Sequence, residues 1–238
     1  MLFYYIRHGD PIYHPDSLTP LGQRQAEAVG KRLAMYGVDK IYTSSSIRAI
    51  ETAKPACEML KLESEQLDFA NEHYAWLDLT VDRGDGEKVW VFADEKFKMT
   101  FTSPEMKALG ENWYEHPDCK GTNFKNGFNR IADETDKFLA SLGFEHIRHS
   151  GRYKVTEKND KRVALFAHHG FGMAFLSCLL DIPYPIFSTH FDITYTGMTV
   201  IDFDEKNDIC IPRVLMHSAD SHLYKEGLPT KYNHTFLF

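Results

Sequence analysis

The sequence predicts an α/β protein, a three-layer α/β/α sandwich with a mainly parallel central sheet and a helical or irregular lid inserted into it. Three observations carry that prediction. Two short apolar runs, Leu2–Ile6 and Val163–Ala167, have the length and composition of strands buried on both faces. Stretches with apolar residues at helical spacing separate and follow them. The first 62 residues alternate strand, helix, strand, helix, the order that builds a parallel sheet with flanking helices.

The elements follow in order. Leu2–Gly9 reads as a strand that ends in Arg7-His8-Gly9, followed by a short loop from Asp10 to Ser17. Thr19 is placed to cap a helix with Pro20 at its first position, Gln25, Ala26, Val29 and Leu33 on one side, and Gly37 at its end. Val38–Thr43 reads as a short strand, Ser44–Ser46 as a turn, and Ile47–Leu62 as a helix made irregular by Pro55. Leu67–Glu72 reads as extended and Asp82–Lys88, with two glycines among charges, as a loop. The large apolar residues from Trp90 to Met106 predict a lid with its own small core. Phe128–His146 reads as a long amphipathic helix and Arg152–Lys161 as a polar surface loop. Arg162–Ala167 is the second strong strand, ending in His168-His169-Gly170, with a helix from about Phe171 to Leu180. Thr199–Phe203 and Arg213–Met216 read as strands joined across Asp204–Pro212, and a polar tail runs from His217.

The chain of 238 residues is read as a single domain, 1–238, with an inserted cap at about 73–130. A hydrophobic content of 43% with 26% charged residues is that of a globular protein with a real core. The net charge of −7 argues against a general nucleic-acid binder, which needs a basic footprint. No stretch approaches the roughly 18 apolar residues of a membrane span. The first residues lack a signal-peptide pattern, so a cytoplasmic location is expected. Cys57, Cys119, Cys178 and Cys210 are widely spaced and form no Cys-x-x-Cys pair, which reads as four reduced thiols.

The chemistry concentrates at the ends of the two apolar strands. In open α/β sheets, ligands bind at the carboxyl ends of strands. A cation beside an imidazole, with a glycine that permits close backbone approach, suits an anion, phosphate above all. A second histidine beside a glycine, from a strand far away in sequence, repeats the device.

With Arg7-His8-Gly9, Leu18-Thr19-x-x-Gly22-x-x-Gln25-Ala26, Thr43-Ser44 through Arg48-Ala49-x-x-Thr52-Ala53, Glu72 and His169-Gly170 in this order, the chain resembles the histidine phosphatase superfamily, in its phosphoglycerate mutase-like branch. The resemblance implies a metal-independent phosphomonoester hydrolase with no cofactor, acting on a small phosphorylated metabolite through phosphohistidine. His8 would be the nucleophile, its second ring nitrogen fixed as a donor. Arg7, Arg48 and His169 would bind the transferring phosphoryl group, and Glu72 would be the proton donor, giving His8, Glu72 and His169 as the catalytic set. Glu65 and Asp78 compete with Glu72 for that role. The resemblance sets His169, immediately before the glycine, in the site, while strand alternation turns His168 the other way into packing or hydrogen bonding. His14 lies where relatives carry a phosphate-contacting Asn. Ser44 is read first as a helix cap and second as a phosphate ligand, Thr19 and Gln25 as organisers of their helix, and Asp220-Ser221-His222-Leu223 as a family-like segment without chemistry.

Two other functions compete: phosphoglycerate mutase-type transfer, and a catalytically inactive phosphate-ligand or protein-binding module. A histidine-rich metallohydrolase is disfavoured because no His-x-x-x-His or His-x-Glu set stands on a helix. The aromatic residues at Tyr74, Trp76, Trp90, Phe92, Phe97, Phe101, Trp113 and Tyr114 are read mainly as core. The expected partner is the small phosphorylated substrate, with neither nucleic acid nor membrane; a homodimer is left open.

Overall fold

The computed structural model describes residues 1–204 and 208–233. The first half contains β1 (Leu2–Arg7), β2 (Pro11–Tyr13), β3 (Asp16–Leu18), α1 (Pro20–Tyr36), β4 (Lys40–Ser44), α2 (Ile47–Leu60), β5 (Ser64–Leu67), α3 (Glu72–Asp78), β6 (Thr80–Asp82), β7 (Lys88–Trp90), α4 (Glu95–Phe101) and α5 (Pro104–Leu109). The second contains α6 (Phe124–Ser141), β8 (Phe144–Ile147), β9 (Arg152–Val155), β10 (Arg162–Ala167), α7 (His169–Leu180), α8 (Tyr184–His190), β11 (Met198–Asp202), β12 (Ile209–Cys210), β13 (Arg213–Ala219) and α9 (Ser221–Lys225).

The central sheet runs β13-β11-β1-β10-β4-β5. The pairs β1–β10, β10–β4 and β4–β5 are parallel, while β11 runs antiparallel to β1 and to β13. The two faces of β1 serve two layers, as strand alternation requires. Tyr4 and Ile6 pack with Val29, Leu33, Ala53 and Ala56 of α1 and α2. Phe3 and Tyr5 pack on the other side with Phe138 of α6 and Phe175 of α7. The start of α1 is as the sequence predicts: the Thr19 hydroxyl accepts the Gly22 amide, Pro20 opens the helix and Gly37 closes it.

Several boundaries differ from the sequence reading. The predicted helix Phe128–His146 is α6 followed by β8, because Gly143 at φ +94° turns the chain where a helix cannot continue. The predicted loop Arg152–Lys161 begins with β9, which pairs with β8 and β12 in a small antiparallel sheet. The extended reading of Leu67–Glu72 gives way after Leu67 to a short 3-10 turn, Asp68–Ala70. The charged stretch Asp82–Lys88 is the tip of the β6–β7 hairpin. The tail from His217 first completes β13 and then forms α9. Its last five residues, and 205–207 of the Asp204–Pro212 connection, lie outside the described residues.

The lid residues do not make a separate core. Phe97, Phe101, Trp113 and Phe124 belong to the same buried cluster as Phe3 and Tyr5. Trp113 joins the layers through Tyr184 of α8, 5.0 Å between ring centroids.

Candidate active site

The parallel register of β1 and β10 pairs Leu2 with Arg162 and ends with Arg7 opposite Ala167. One residue further, His8 and His168 face each other. They follow Tyr4 and Ile6, and Ala164 and Phe166, on the same sheet face. Their ring centroids are 5.2 Å apart with one ring edge-on to the other. The sequence reading puts His169 in this place and turns His168 away. The structure reverses the two, because His168 keeps an extended backbone (φ −131°, ψ 172°) and continues the alternation of β10, whereas His169 is the first residue of α7.

His8 is buried, and its Nδ1 lies 2.7 Å from the Gly9 carbonyl oxygen. A carbonyl only accepts, so Nδ1 carries the proton and Nε2 keeps its lone pair. Burial holds the His8 pKa well below the ordinary value, and Arg7 and Arg48 press it further down. The loop beyond His8 rests directly on α1. A Cβ at Gly9 would lie 2.7 Å from the Gly22 carbonyl oxygen, and one at Gly22 would collide with the Asp10 backbone. The Gly9 amide donates to Thr52 Oγ1 (3.0 Å) and the Asp10 amide to Gln25 Oε1 (2.8 Å). Thr19, Gln25 and Thr52 therefore fix the loop that presents His8.

Three cationic or imidazole side chains surround it. Arg7 donates through Nη1 to the Ile193 carbonyl (2.6 Å) and to Asn233 Oδ1 (2.7 Å), and its guanidinium lies 3.9 Å over the Tyr195 ring. Arg48, in the first turn of α2, donates through Nη1 to Asp16 Oδ1 (2.8 Å) and through Nη2 to Glu72 Oε2 (3.2 Å). His168 is buried, with Nε2 2.8 Å from Ser44 Oγ and 3.0 Å from Ser46 Oγ. The Tyr5 hydroxyl braces its backbone, donating to the His168 carbonyl and accepting its amide. Burial, with Arg48 and His8 nearby, holds the His168 pKa low as well. Ser44, read from sequence as a helix cap, is instead the last residue of β4 and binds His168; Ser46 occupies the cap position of α2.

Glu72 opens α3, where its Oε1 accepts the Gly170 amide (2.8 Å) and its Oε2 lies 3.6 Å from His168 Nδ1. Its two rivals are elsewhere: Glu65 pairs with Lys40 and Asp78 with Arg130. His169 packs edge-on against Phe92, 5.3 Å between centroids, and its Nε2 reaches Asp192 Oδ1 at 2.8 Å without hydrogen-bond alignment. Burial lowers its pKa, against the pull of Asp192. His14 lines a cleft that also holds Asp16 and Arg48.

Two clefts meet at Tyr13, Glu72 and Trp90. One, of about 790 Å³, runs past Arg48 and Trp76. The other, of about 470 Å³, runs past Arg7, Phe92, His169 and Asp192. Trp90 and Phe92, read from sequence mainly as core, thus serve as cleft walls.

Arg7 Nε, Arg48 Nε and His168 Nδ1 are buried without a hydrogen-bond partner among the described residues. Buried polar groups left without a partner are costly unless a ligand or water joins them. His8, Glu72 and His168 also offer three ligand atoms within 4.8 Å of one another, a spacing open to a metal ion. Two guanidinium groups beside that trio favour an anion over a cation. Sequence reasoning missed His168 as the neighbour of His8, although alternation along both strands carries the signal. It also missed Tyr5, Asp16, Asp192, Tyr195 and Asn233; the last three come from loops with no local pattern.

The central sheet carries the paired histidines at its carboxyl edge, beside buried side-chain nitrogens of Arg7 and Arg48 without a partner among the described residues. Residues 3–116 match the model of the histidine phosphatase superfamily (branch 1). The match covers just under half of the chain, and over those residues the chain is similar to that superfamily. A stretch of 69 residues is 38% identical to the mitochondrial serine/threonine-protein phosphatase Pgam5 of Drosophila yakuba, covering 26% of this chain and 24% of that protein. The chain therefore spans about a quarter of the length of the curated relative it matches. Among solved structures, the fold is similar to phosphoserine phosphatase from Entamoeba histolytica (17% identity, TM-score 0.59, 93% of this chain and 98% of that one). It is also similar to a mycobacterial glucosyl-3-phosphoglycerate phosphatase (19% identity, TM-score 0.59, 92% and 98%). These two likenesses concern the fold.

Proposed function

We propose that the protein is a metal-independent phosphomonoester hydrolase that works through phospho-His8. The observation that carries this reading is the buried His8 imidazole, with its proton fixed on Nδ1 by the Gly9 carbonyl, amid the unpartnered donors of Arg7, Arg48 and His168. A phosphoryl group on His8 would give those donors their acceptors. The names of the relatives, all phosphatases, support hydrolysis.

In the first step His8 Nε2 attacks phosphorus. An N–P bond forms, the bond from phosphorus to the substrate oxygen breaks, and Glu72 gives that oxygen its proton. In the second, water attacks phosphorus, the N–P bond breaks, Glu72 takes a proton back, and inorganic phosphate leaves. Arg7, Arg48 and His168 hold the equatorial oxygens throughout, which is the main electrostatic task of phosphoryl transfer. His169 stands in the cleft that receives the leaving alcohol, and residues 73–130 form the cap over it.

Phosphohistidine survives alkali and is lost in acid, so quenching tests the intermediate. With a radiolabelled phosphate ester, an alkaline quench is expected to leave label on the protein and an acid quench to remove it. Label or turnover that persists in His8→Ala overturns the mechanism.

A further inference from the structure

Asp192 is held in an unusual way. Its Oδ1 receives the Ile193 amide (2.7 Å), the Asn233 side-chain amide and the His169 ring contact at 2.8 Å. All these partners gather on one oxygen; Oδ2 has none among the described residues, and the carboxylate faces the cleft beside Arg7 and Glu72. Burial opposes its ionisation, yet His169, Ile193 and Asn233 keep the carboxyl below the ordinary carboxylate value. A fixed acceptor thus projects into the space where the alcohol part of a phosphate ester would lie.

The rest of that cleft narrows what it would accept. Trp90 and Phe92 stack with centroids 5.7 Å apart and planes 8° from parallel, and Trp90 presses on Gly170, where a Cβ would collide with its ring. Lys98, the lysine of this cleft, is paired with Glu95 at 2.7 Å. A leaving group bearing a carboxylate would meet the open oxygen of Asp192 with its nearest lysine already neutralised. A neutral group rich in hydroxyls would donate to Oδ2 and lay its carbon face on the aromatic wall.

We infer that this cleft is a leaving-group subsite for a neutral, polyhydroxylated alcohol, so that the substrate class is a sugar or sugar-like phosphomonoester, with Asp192 as its specificity-determining residue. The inference rests on the hydrolase reading above and deepens it.

Phosphate release by the full chain from ribose 5-phosphate, glucose 6-phosphate, 3-phosphoglycerate, phosphoserine, a phosphoserine peptide and p-nitrophenyl phosphate tests it. The expected result is a kcat/KM for a sugar phosphate at least ten-fold above those for 3-phosphoglycerate, phosphoserine and the peptide. Asp192→Asn is expected to lower the sugar-phosphate value at least ten-fold more than the p-nitrophenyl phosphate value. Preference for an acidic or peptidic ester, or an equal loss on both substrates in Asp192→Asn, overturns the subsite. Calorimetric binding of the same sugar phosphates to His8→Ala, with and without Asp192→Asn, reads the subsite apart from turnover. Asp192-dependent binding without hydrolysis by the native chain would retain the subsite and defeat the hydrolase reading. Hydrolysis of p-nitrophenyl phosphate with no sugar-phosphate binding would do the reverse.

Discussion

His8 and His168 stand side by side one residue beyond the last paired positions of two parallel strands, their ring centroids 5.2 Å apart. The contact continues the strand register, and Thr52 and Gln25 hold the loop that seats His8 in it. It separates two adjacent histidines in place: His168 lies beside His8, and His169 lies against Phe92. His168→Asn is expected to lower kcat on p-nitrophenyl phosphate by about a hundred-fold or more, the usual cost of removing one donor to a transition-state oxygen. His169→Asn is expected to cost less than about ten-fold on this substrate, whose leaving group needs little protonation. Steady-state kinetics with thermal melts of each variant check the pair. Equal losses, or a greater loss at position 169, would return the phosphate-binding role to His169.

The His146 cluster predicts how stability varies with pH. Its Nδ1 is 2.8 Å from Asp136 and its Nε2 3.0 Å from Asp181, and the ring stacks on Tyr153. Burial opposes protonation, but the hydrogen bonds and charges of Asp136 and Asp181 raise the pKa to about 9. The folded protein therefore holds this proton more tightly than the unfolded chain. The stabilisation is complete below the unfolded value of about 6.5 and fades as pH rises through the folded value. Its size is roughly 2 kcal/mol after discounting for solvent at the cluster's edge. For a chain of this size that corresponds to a Tm difference of about 4–8 °C. Melting curves of the native protein and His146→Gln should differ most near pH 6 and converge near pH 10. A difference that stays constant across that range would mean that His146 is held as a neutral ring.

Gly22 offers a test of how the His8 loop is seated. The three atoms nearest to a Cβ there all belong to the Asp10 backbone, so no side chain can swing aside to make room. Gly22→Ala should destabilise the protein by about 2 kcal/mol, the common cost of overpacking. Since Asp10 follows Gly9 directly, kcat should fall as well. Denaturant unfolding alongside turnover measures both effects, and a variant with native stability and rate would show that the helix and loop are free to separate.

The parts of this molecule that the sequence announces are those governed by local physics. β1 and β10 are short apolar runs, and α1 carries its cap, its proline and its closing glycine in plain view. The end of α6 is hidden because the apolar pattern runs on from the helix into β8, and only Gly143 marks the turn. The sequence reads the lid as self-contained because nothing local tells whether Phe101 or Trp113 packs within its own segment or on α8. The site divides in the same way. Arg7, His8, Arg48 and Glu72 sit where the motifs place them. The motif points to His169 beside His8, whereas the alternation of the two strands read together puts His168 there. Asp192 and Asn233 reach the site through tertiary contacts, which leave no periodic trace.

The central place of β1 also bears on how the chain acquires its structure. Leu2 pairs with Arg162 on one side and Asp202 on the other, so the first strand in this sequence finds both of its neighbours only after most of the chain is available. Until then Phe3, Tyr5 and Ile6, fully buried at the end, have no sheet to enter. Such long-range pairing slows folding and leaves an apolar strand exposed to other chains in the meantime. The arrangement that sets His8 against His168 therefore makes them meet late: His8 gains its neighbour, some 160 residues away along the chain, only when the middle of the sheet closes.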